Sequence, residues 1–322
     1  MNVRPKLTAF AKYAWFVLAW NLLVILWGVF LRASKSGDGC GQHWLTCHGE
    51  VIPTAPELKT VIEFSHRITS SLAGILIIIL VVWAFRRWQR LRTEQERVTL
   101  KMAAGSLIFV VIEGLLGAGL VLTGNTAETL TPERPLWMAG HLVNTLILVG
   151  FLTMTARYGS GAARVSFKID RQYLAAISIG IAAIFIVGIT GSIAALSSMI
   201  FPPGTITEGI ATDFSPTSHI LLRLRILHPV TAILTAVFLI FLTGWLTKET
   251  ASEPGVSRWS NVISLLVLAQ LGAGAATLLM KAPIVMQLVH LLLVDLIWIS
   301  YVIFASNFLS AGPLARPLDE AS

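Results

Sequence analysis

Runs of roughly 20 apolar residues recur from one end of the chain to the other, each long enough to cross a hydrocarbon core of about 30 Å at about 1.5 Å per helical residue. Eight can be marked, near residues 13–31, 61–85, 102–122, 137–156, 174–199, 220–246, 259–280 and 284–307. In lipid every backbone N–H and C=O must find its partner inside its own segment, so runs of this length are expected to be helices. With 55% hydrophobic and 13% charged residues, there is too little polar surface for a water-soluble coat. The first run is too long for a cleavable signal and lacks a small-residue cleavage site, so it is expected to stay as a helix.

Basic residues set the expected orientation, because Lys and Arg close to helix ends are retained on the cytoplasmic side. Arg86, Arg87, Arg90, Arg92, Arg97 and Lys101 crowd the second connection, and Arg157, Arg164, Lys168 and Arg171 the fourth. The alternate connections carry only Arg32, Lys35, Lys59, Arg134 and Lys281. Both termini are therefore expected in the cytoplasm, and the pI near 9.7 is a topology signal rather than a sign of nucleic-acid binding. Cys40 and Cys47, the only cysteines, fall in the first outer connection, where an oxidising compartment permits a disulfide. Position 44 is Trp, so Cys47-His48 does not complete a covalent haem-attachment signature.

The two halves of the chain repeat one another. Gly114-Leu115-Leu116-Gly117-Ala118-Gly119 of the third run matches Gln270-Leu271-Gly272-Ala273-Gly274 of the seventh. Glu63-Phe64-Ser65-His66 of the second matches Arg225-Ile226-Leu227-His228 of the sixth, and Gly140-His141 of the fourth matches Val289-His290 of the eighth. Four crossings separate equivalent positions, so the halves share one orientation. The expected fold is an all-α membrane protein whose eight transmembrane helices form two pseudo-symmetric four-helix bundles, residues 1–158 and 159–322.

His66, His141, His228 and His290 each lie within about two turns of a helix start, in helices that all run from outside to inside, which puts them in one layer near the outer leaflet. Ionisable side chains are costly in lipid and need a partner. Neutral imidazole is a good iron ligand, and two from facing helices can clamp a haem in a bundle core. The natural pairs are His66 with His141 and His228 with His290. His43, His48 and His219 fall outside this pattern and read as solvated, the alternative being a peripheral metal held by His43, His48 and the cysteines. The halves differ one turn before the ligand. Glu63 shares a helix face with His66 and can shuttle protons or stabilise a developing cation, the alternative being an ion-pair partner for Arg67 or another interfacial base. Arg225 takes that place before His228, where it can pair with a haem propionate or anchor at the interface. Arg67 and Arg223 are further propionate candidates. Glu113 and Asp295 lie within helices and are expected to face protein, with no task assigned.

Taken together, these residues resemble the haem A synthase family. The resemblance runs through Trp27-Gly28-Val29-Phe30-Leu31-Arg32, the Cys40-Gly41-Gln42-His43-Trp44-Leu45-Thr46-Cys47-His48-Gly49 connection with Val51-Ile52-Pro53 after it, and Glu63-Phe64-Ser65-His66-Arg67. Relatives commonly carry Asp before that Trp and Pro after it, where this chain has His43 and Leu45. Some carry a second cysteine pair between helices five and six, which is absent here. The resemblance implies oxidation of a methyl group of haem O to the formyl group of haem A by successive hydroxylations, for terminal oxidase assembly. It further implies that His66 and His141 hold the substrate haem, that Glu63 assists, and that His228 and His290 hold haem b. A Cys40–Cys47 disulfide over the outer mouth, a bacterial plasma membrane location, an outside electron donor and a haem O synthase partner belong to the same expectation, with homo-oligomerisation left open. The residues alone leave two other readings open: a dihaem electron-transfer cytochrome and a haem exporter or chaperone.

Overall fold

A computed structural model describes residues 7–126 and 129–313. Helix starts follow local chemistry. Thr8 Oγ1 accepts the Ala11 N–H at 3.1 Å to open α1 (Ala9–Ala33), and Thr93 Oγ1 accepts the Glu96 N–H at 3.3 Å to open α3 (Glu94–Leu122). The helix α2 (Leu58–Leu91) ends where Arg92 turns left-handed at φ +53°. Pro135 sits in the first turn of α4 (Arg134–Gly159), where its missing N–H costs nothing. The second half holds α5 (Arg171–Ile200), a short α6 (Ile206–Phe214), α7 (Ile220–Arg225), α8 (Leu227–Glu249), α9 (Pro254–Leu279) and α10 (Ile284–Ala311). Eight helices, with α7 and α8 taken as one, are long and apolar enough to cross a membrane.

The expected sixth span is one run, but the helix breaks at Ile226. Pro229 explains the break, because it has no N–H to give the Arg225 carbonyl one turn back and its ring crowds that oxygen. The helices also outrun the apolar stretches. Most of the basic residues expected in the second connection lie on helical ends of α2 and α3, leaving only Arg92 and Thr93 between them. There Arg87 Nε donates to Glu96 Oε2 at 3.0 Å and the guanidinium lies 5.0 Å from the Phe10 ring, tying three helices at one end. The expected cytoplasmic termini, residues 1–6 and 314–322, lie outside the described residues.

Helices α1 to α4 close a ring, each packing on the next and α4 returning to α1. In the second half α5 packs on α7 and α8, α8 on α9 and α9 on α10, and Tyr301 Oη of α10 donates to the Ile177 carbonyl of α5 at 2.9 Å. The seam joins α4 to α5 and α10, and α1 to α10. At its centre Trp298 Nε1 donates to the Leu146 carbonyl at 2.6 Å. Half of the most apolar stretch of α10 is buried inside the protein, which makes it the core helix, while other helices turn large apolar side chains such as Leu115, Phe241 and Leu265 outward. In water such a surface would drive aggregation; in hydrocarbon it is the solvated face.

Candidate functional site

Each of the four histidines enters its helix at a similar depth. His66, His141, His228 and His290 follow the first residue of α2, α4, α7 and α10 by eight, seven, eight and six residues. At about 1.5 Å per residue this is a common depth of roughly 9–12 Å.

All four rings are half-buried and each has its Nδ1 buried. None of the four Nδ1 atoms has a hydrogen-bond partner. A glycine from a neighbouring helix makes room for three of the rings. A Cβ on Gly28 of α1 would stand 3.1 Å from His66 Cε1, one on Gly191 of α5 would stand 2.9 Å from His228 Cε1, and one on Gly274 of α9 would stand 3.2 Å from His290 Cε1. Gly28 and Gly191 occupy matching helices of the two halves. These glycines answer a steric demand, since any side chain there would push the imidazole aside.

The His228 and His290 ring centres are 6.2 Å apart and the planes meet at 82°. Two imidazoles bound on opposite sides of one first-row metal at about 2 Å per bond hold ring centres about 6 Å apart, so this pair fits a bis-histidine iron site. The Gln270 amide nitrogen lies 3.1 Å from His290 Nε2. An amide nitrogen only donates, so Nε2 is the acceptor here, and a metal would take that lone pair in place of the amide. His66 and His141 are within electrostatic reach of one another. Orphaned ring nitrogens, the facing His228–His290 pair and the glycine clearances fit a flat iron macrocycle in the second half, and the repeat places His66 and His141 at the matching positions of the first.

Around His66 the outer connection is stitched to α2. Glu63, 3% exposed, accepts the Cys40 N–H on Oε2 at 2.8 Å and Arg67 Nε on Oε1 at 3.1 Å. Arg67 also donates through Nη1 to the carbonyls of His43 and Thr46, at 2.7 and 2.9 Å. Thr60 Oγ1 donates to the Gly39 carbonyl at 2.6 Å, and His48 Nε2 lies 2.9 Å from the same oxygen. Cys40 and Cys47 form a disulfide with both residues buried. With both sulfurs in that bond, a peripheral metal held by the cysteines with His43 and His48 loses its thiolate ligands. His43, His48 and His219 are exposed, as expected of solvated residues, and His219 Nδ1 also caps α7 by accepting the Leu221 N–H at 3.2 Å.

In the second half Arg225 reaches α6 instead. Its Nε and Nη2 donate to Asp213 Oδ1 at 2.9 and 2.5 Å, and Nη2 to the Gly209 carbonyl at 3.2 Å. Arg67 and Arg225 thus spend most of their donors clamping an outer segment over the histidine layer, while Arg223 is exposed. The helix α6 was not expected, yet Thr205-Ile206-Thr207-Glu208 is a capping box, and that spacing was readable. Glu113 was expected to face protein and does, 3.5 Å from His141 Nδ1. Asp295 is 2% exposed on α10.

Fold and site together define a polytopic helical membrane protein with four histidines at a common helix depth, two in each half, of which His228 and His290 face one another. Comparison with known sequences sharpens that class. The family model COX15-CtaA, described as cytochrome oxidase assembly protein, matches residues 11–302, and the chain belongs to this family. It is 31% identical to a heme A synthase of Alkalihalophilus pseudofirmus over 285 residues, 86% of the chain and 90% of the relative. It is 30% identical to a heme A synthase of Shouchella clausii over 294 residues, 86% of the chain and 89% of the relative. A protein named protoheme IX farnesyltransferase, from Thermus thermophilus, is 38% identical over 317 residues, 98% of this chain but 51% of the relative. The chain therefore spans about half the length of that relative.

Proposed function

We propose that this protein is a haem A synthase, oxidising a methyl group of haem O to a formyl group. Two successive hydroxylations turn the methyl carbon into a hydroxymethyl and then a geminal diol, which loses water. The observation that carries the reading is an asymmetry. Two matching histidine pairs lie in one layer, and only the first has a carboxylate, Glu63, one turn from the ligand on the same helix face. Family membership and the two named relatives that share most of their length with this chain support it.

The two halves, 1–158 and 159–322, divide the work. His66 and His141 hold the iron of the substrate haem, and His228 and His290 that of a resident haem b. Haem iron supplies the redox chemistry, with oxidant and electrons drawn from outside the chain. The protein supplies position and charge. Glu63, fixed by Arg67 and the Cys40 N–H one turn from His66, would take up a proton or offset developing positive charge on a haem held there without reorganising. Arg67 and Arg225 act chiefly as clamps that hold the Cys40–Cys47 connection and α6 over their respective sites and limit access from water.

Three features support the setting. The lysine and arginine asymmetry favours a bacterial plasma membrane with both termini cytoplasmic and the histidine layer towards the outer leaflet. Haem O is poorly soluble in water, so direct transfer from its synthase is chemically sensible. The Thermus relative, named a farnesyltransferase and about half matched by this chain, supports such a partner.

Mass analysis of haems extracted from cells supplied with haem O tests the reading. Formyl haem or its hydroxymethyl precursor is expected only where the intact protein is present. Haem b alone, with haem O and oxygen demonstrably present, would favour a dihaem electron carrier or an exporter.

A further inference from the structure

The asymmetry between the halves extends to the far side of the first histidine pair. Glu113 sits on α3 facing His141 of α4, with Oε1 3.5 Å from His141 Nδ1. Two residues one turn further along α4 fix that carboxylate. Asn144 Nδ2 donates to Oε2 at 2.5 Å while also donating to the Phe109 carbonyl at 2.9 Å, and Thr145 Oγ1 donates to Oε1. Thr145 Oγ1 also lies 2.9 Å from the His141 carbonyl, so its single proton is shared between the carboxylate and the ligand's own turn. An ionised carboxylate is acceptor-only, and with both oxygens already held by donors, Oε1 stands 3.5 Å from a buried ring nitrogen that makes no hydrogen bond, close enough for a small ring rotation to complete one.

Nothing equivalent exists in the second half. In the repeat, Gly117 and Gly119 match Gly272 and Gly274, which puts Leu268 where Glu113 stands. His290 has instead the neutral amide of Gln270, at its other ring nitrogen. Among the described residues, His141 is the one member of the four with a carboxylate oxygen within 4.0 Å.

We propose that Glu113 is a positioning residue for His141: it holds the proton on Nδ1, turns the Nε2 lone pair towards the iron of the first-half haem, and makes that imidazole a stronger donor than its counterpart His290. Outer-shell carboxylates act on metal-bound histidine in this way, fixing tautomer and ring orientation and raising ligand basicity. The inference rests on the reading of His66 and His141 as a haem pair. A more basic histidine ligand would stabilise ferric iron, so a haem bound in the first half would have a lower reduction potential than one whose histidine lacks a carboxylate at Nδ1. The two halves, built on one plan, are thereby tuned apart by residues on α3 and α4 that do not touch the macrocycle.

The test is a spectroscopic redox titration of the purified full chain loaded with haem b at both sites, with His141→Ala used to assign the first-half transition. In Glu113→Gln that transition is expected to move to higher potential, with about a 10–100-fold loss of haem affinity at the same site, the usual scale for an outer-shell change. The second-half transition stays where it was. Glu113→Asp restores part of the shift. Thr145→Val, which keeps the carboxylate but removes one of the groups that aim it, produces a smaller upward shift and covers the case in which Glu113→Gln does not fold. Two wild-type transitions with the first unmoved in Glu113→Gln, or in Thr145→Val if Glu113→Gln cannot be purified, overturn the proposal alone. A His141→Ala protein that keeps both transitions overturns the haem-pair reading, and the proposal falls with it.

Discussion

At the residue scale, Glu63 ties the outer connection to α2 and is the residue on which the proposed chemistry turns. A carboxylate 3% exposed on a membrane helix is costly unless paired, and here Arg67 and the Cys40 N–H compensate it. Glu63→Gln keeps the shape and removes the charge. Product formation should fall by about 10²–10⁴-fold, the range for a positioned acid or base, while haem content of the purified protein is unchanged. Chromatography of extracted haems reads both quantities. Gly28 gives a steric counterpart. A Cβ there would stand 3.1 Å from His66 Cε1, and the branches of Gly28→Val would displace the ring. Haem-to-protein stoichiometry should drop by the first-half haem alone, and Gly191→Val should remove the second-half haem instead.

The histidines and Glu63 were legible in the sequence because ionisable residues stand out in apolar helices and because the repeat doubles the signal. The pairing of Glu63 with Arg67 one turn on was legible too, but the loop contacts of Arg67 and what Arg225 and Glu113 meet were not. An arginine beside a ligand has the same sequence signature whether it meets a propionate or a loop carbonyl, and only the fold of the 34–57 connection and of α6 brings acceptors to these two. Glu113 and His141 are separated by 28 positions, and their meeting depends on the rotation of α3 against α4, which hydrophobic periodicity does not fix when a helix is apolar all round.

At the element scale, the first outer connection and α6 play matching parts. The connection has little regular structure of its own and is held by the disulfide, by Arg67 and by the Thr60 and His48 contacts to the Gly39 carbonyl. Replacing Cys40 and Cys47 by serine should cost about 2–3 kcal/mol of loop stability on chain-entropy grounds. Amide hydrogen exchange across residues 34–60 should quicken, with the helices below unaffected. Unchanged exchange would mean that the side-chain contacts alone order the segment. Pro229 carries the other element-scale prediction. Pro229→Ala restores an N–H for the Arg225 carbonyl and joins α7 to α8, which should rotate His228 away from His290 and lower second-half haem occupancy, as read by the bis-imidazole optical spectrum. The eight spans were plain from hydropathy. The break inside the sixth could have been read from Pro229, but an apolar run hides it because the missing bond changes no hydropathy value.

At the scale of the whole molecule, the repeat supplies two equivalent histidine pairs, and the residues around them differ, which is what the proposed division of duties rests on. The seam is built to keep them in fixed register, with Trp298 of α10 bonded to the Leu146 carbonyl of α4 and Arg157 of α4 donating to Asn307 of α10 at 2.5 Å. One site has a buried carboxylate on the ligand's helix and a second behind the opposite ligand; the other has arginine and glutamine in comparable surroundings. The measurement that bears most directly on this division is the haem b content of two purified variants, His66→Ala and His228→Ala, made in cells without haem O. A resident second-half haem predicts that His66→Ala retains the haem b that copurifies with the protein, while His228→Ala loses it. The reverse pattern, with haem b lost from His66→Ala and kept by His228→Ala, would contradict the assignment of substrate and resident sites.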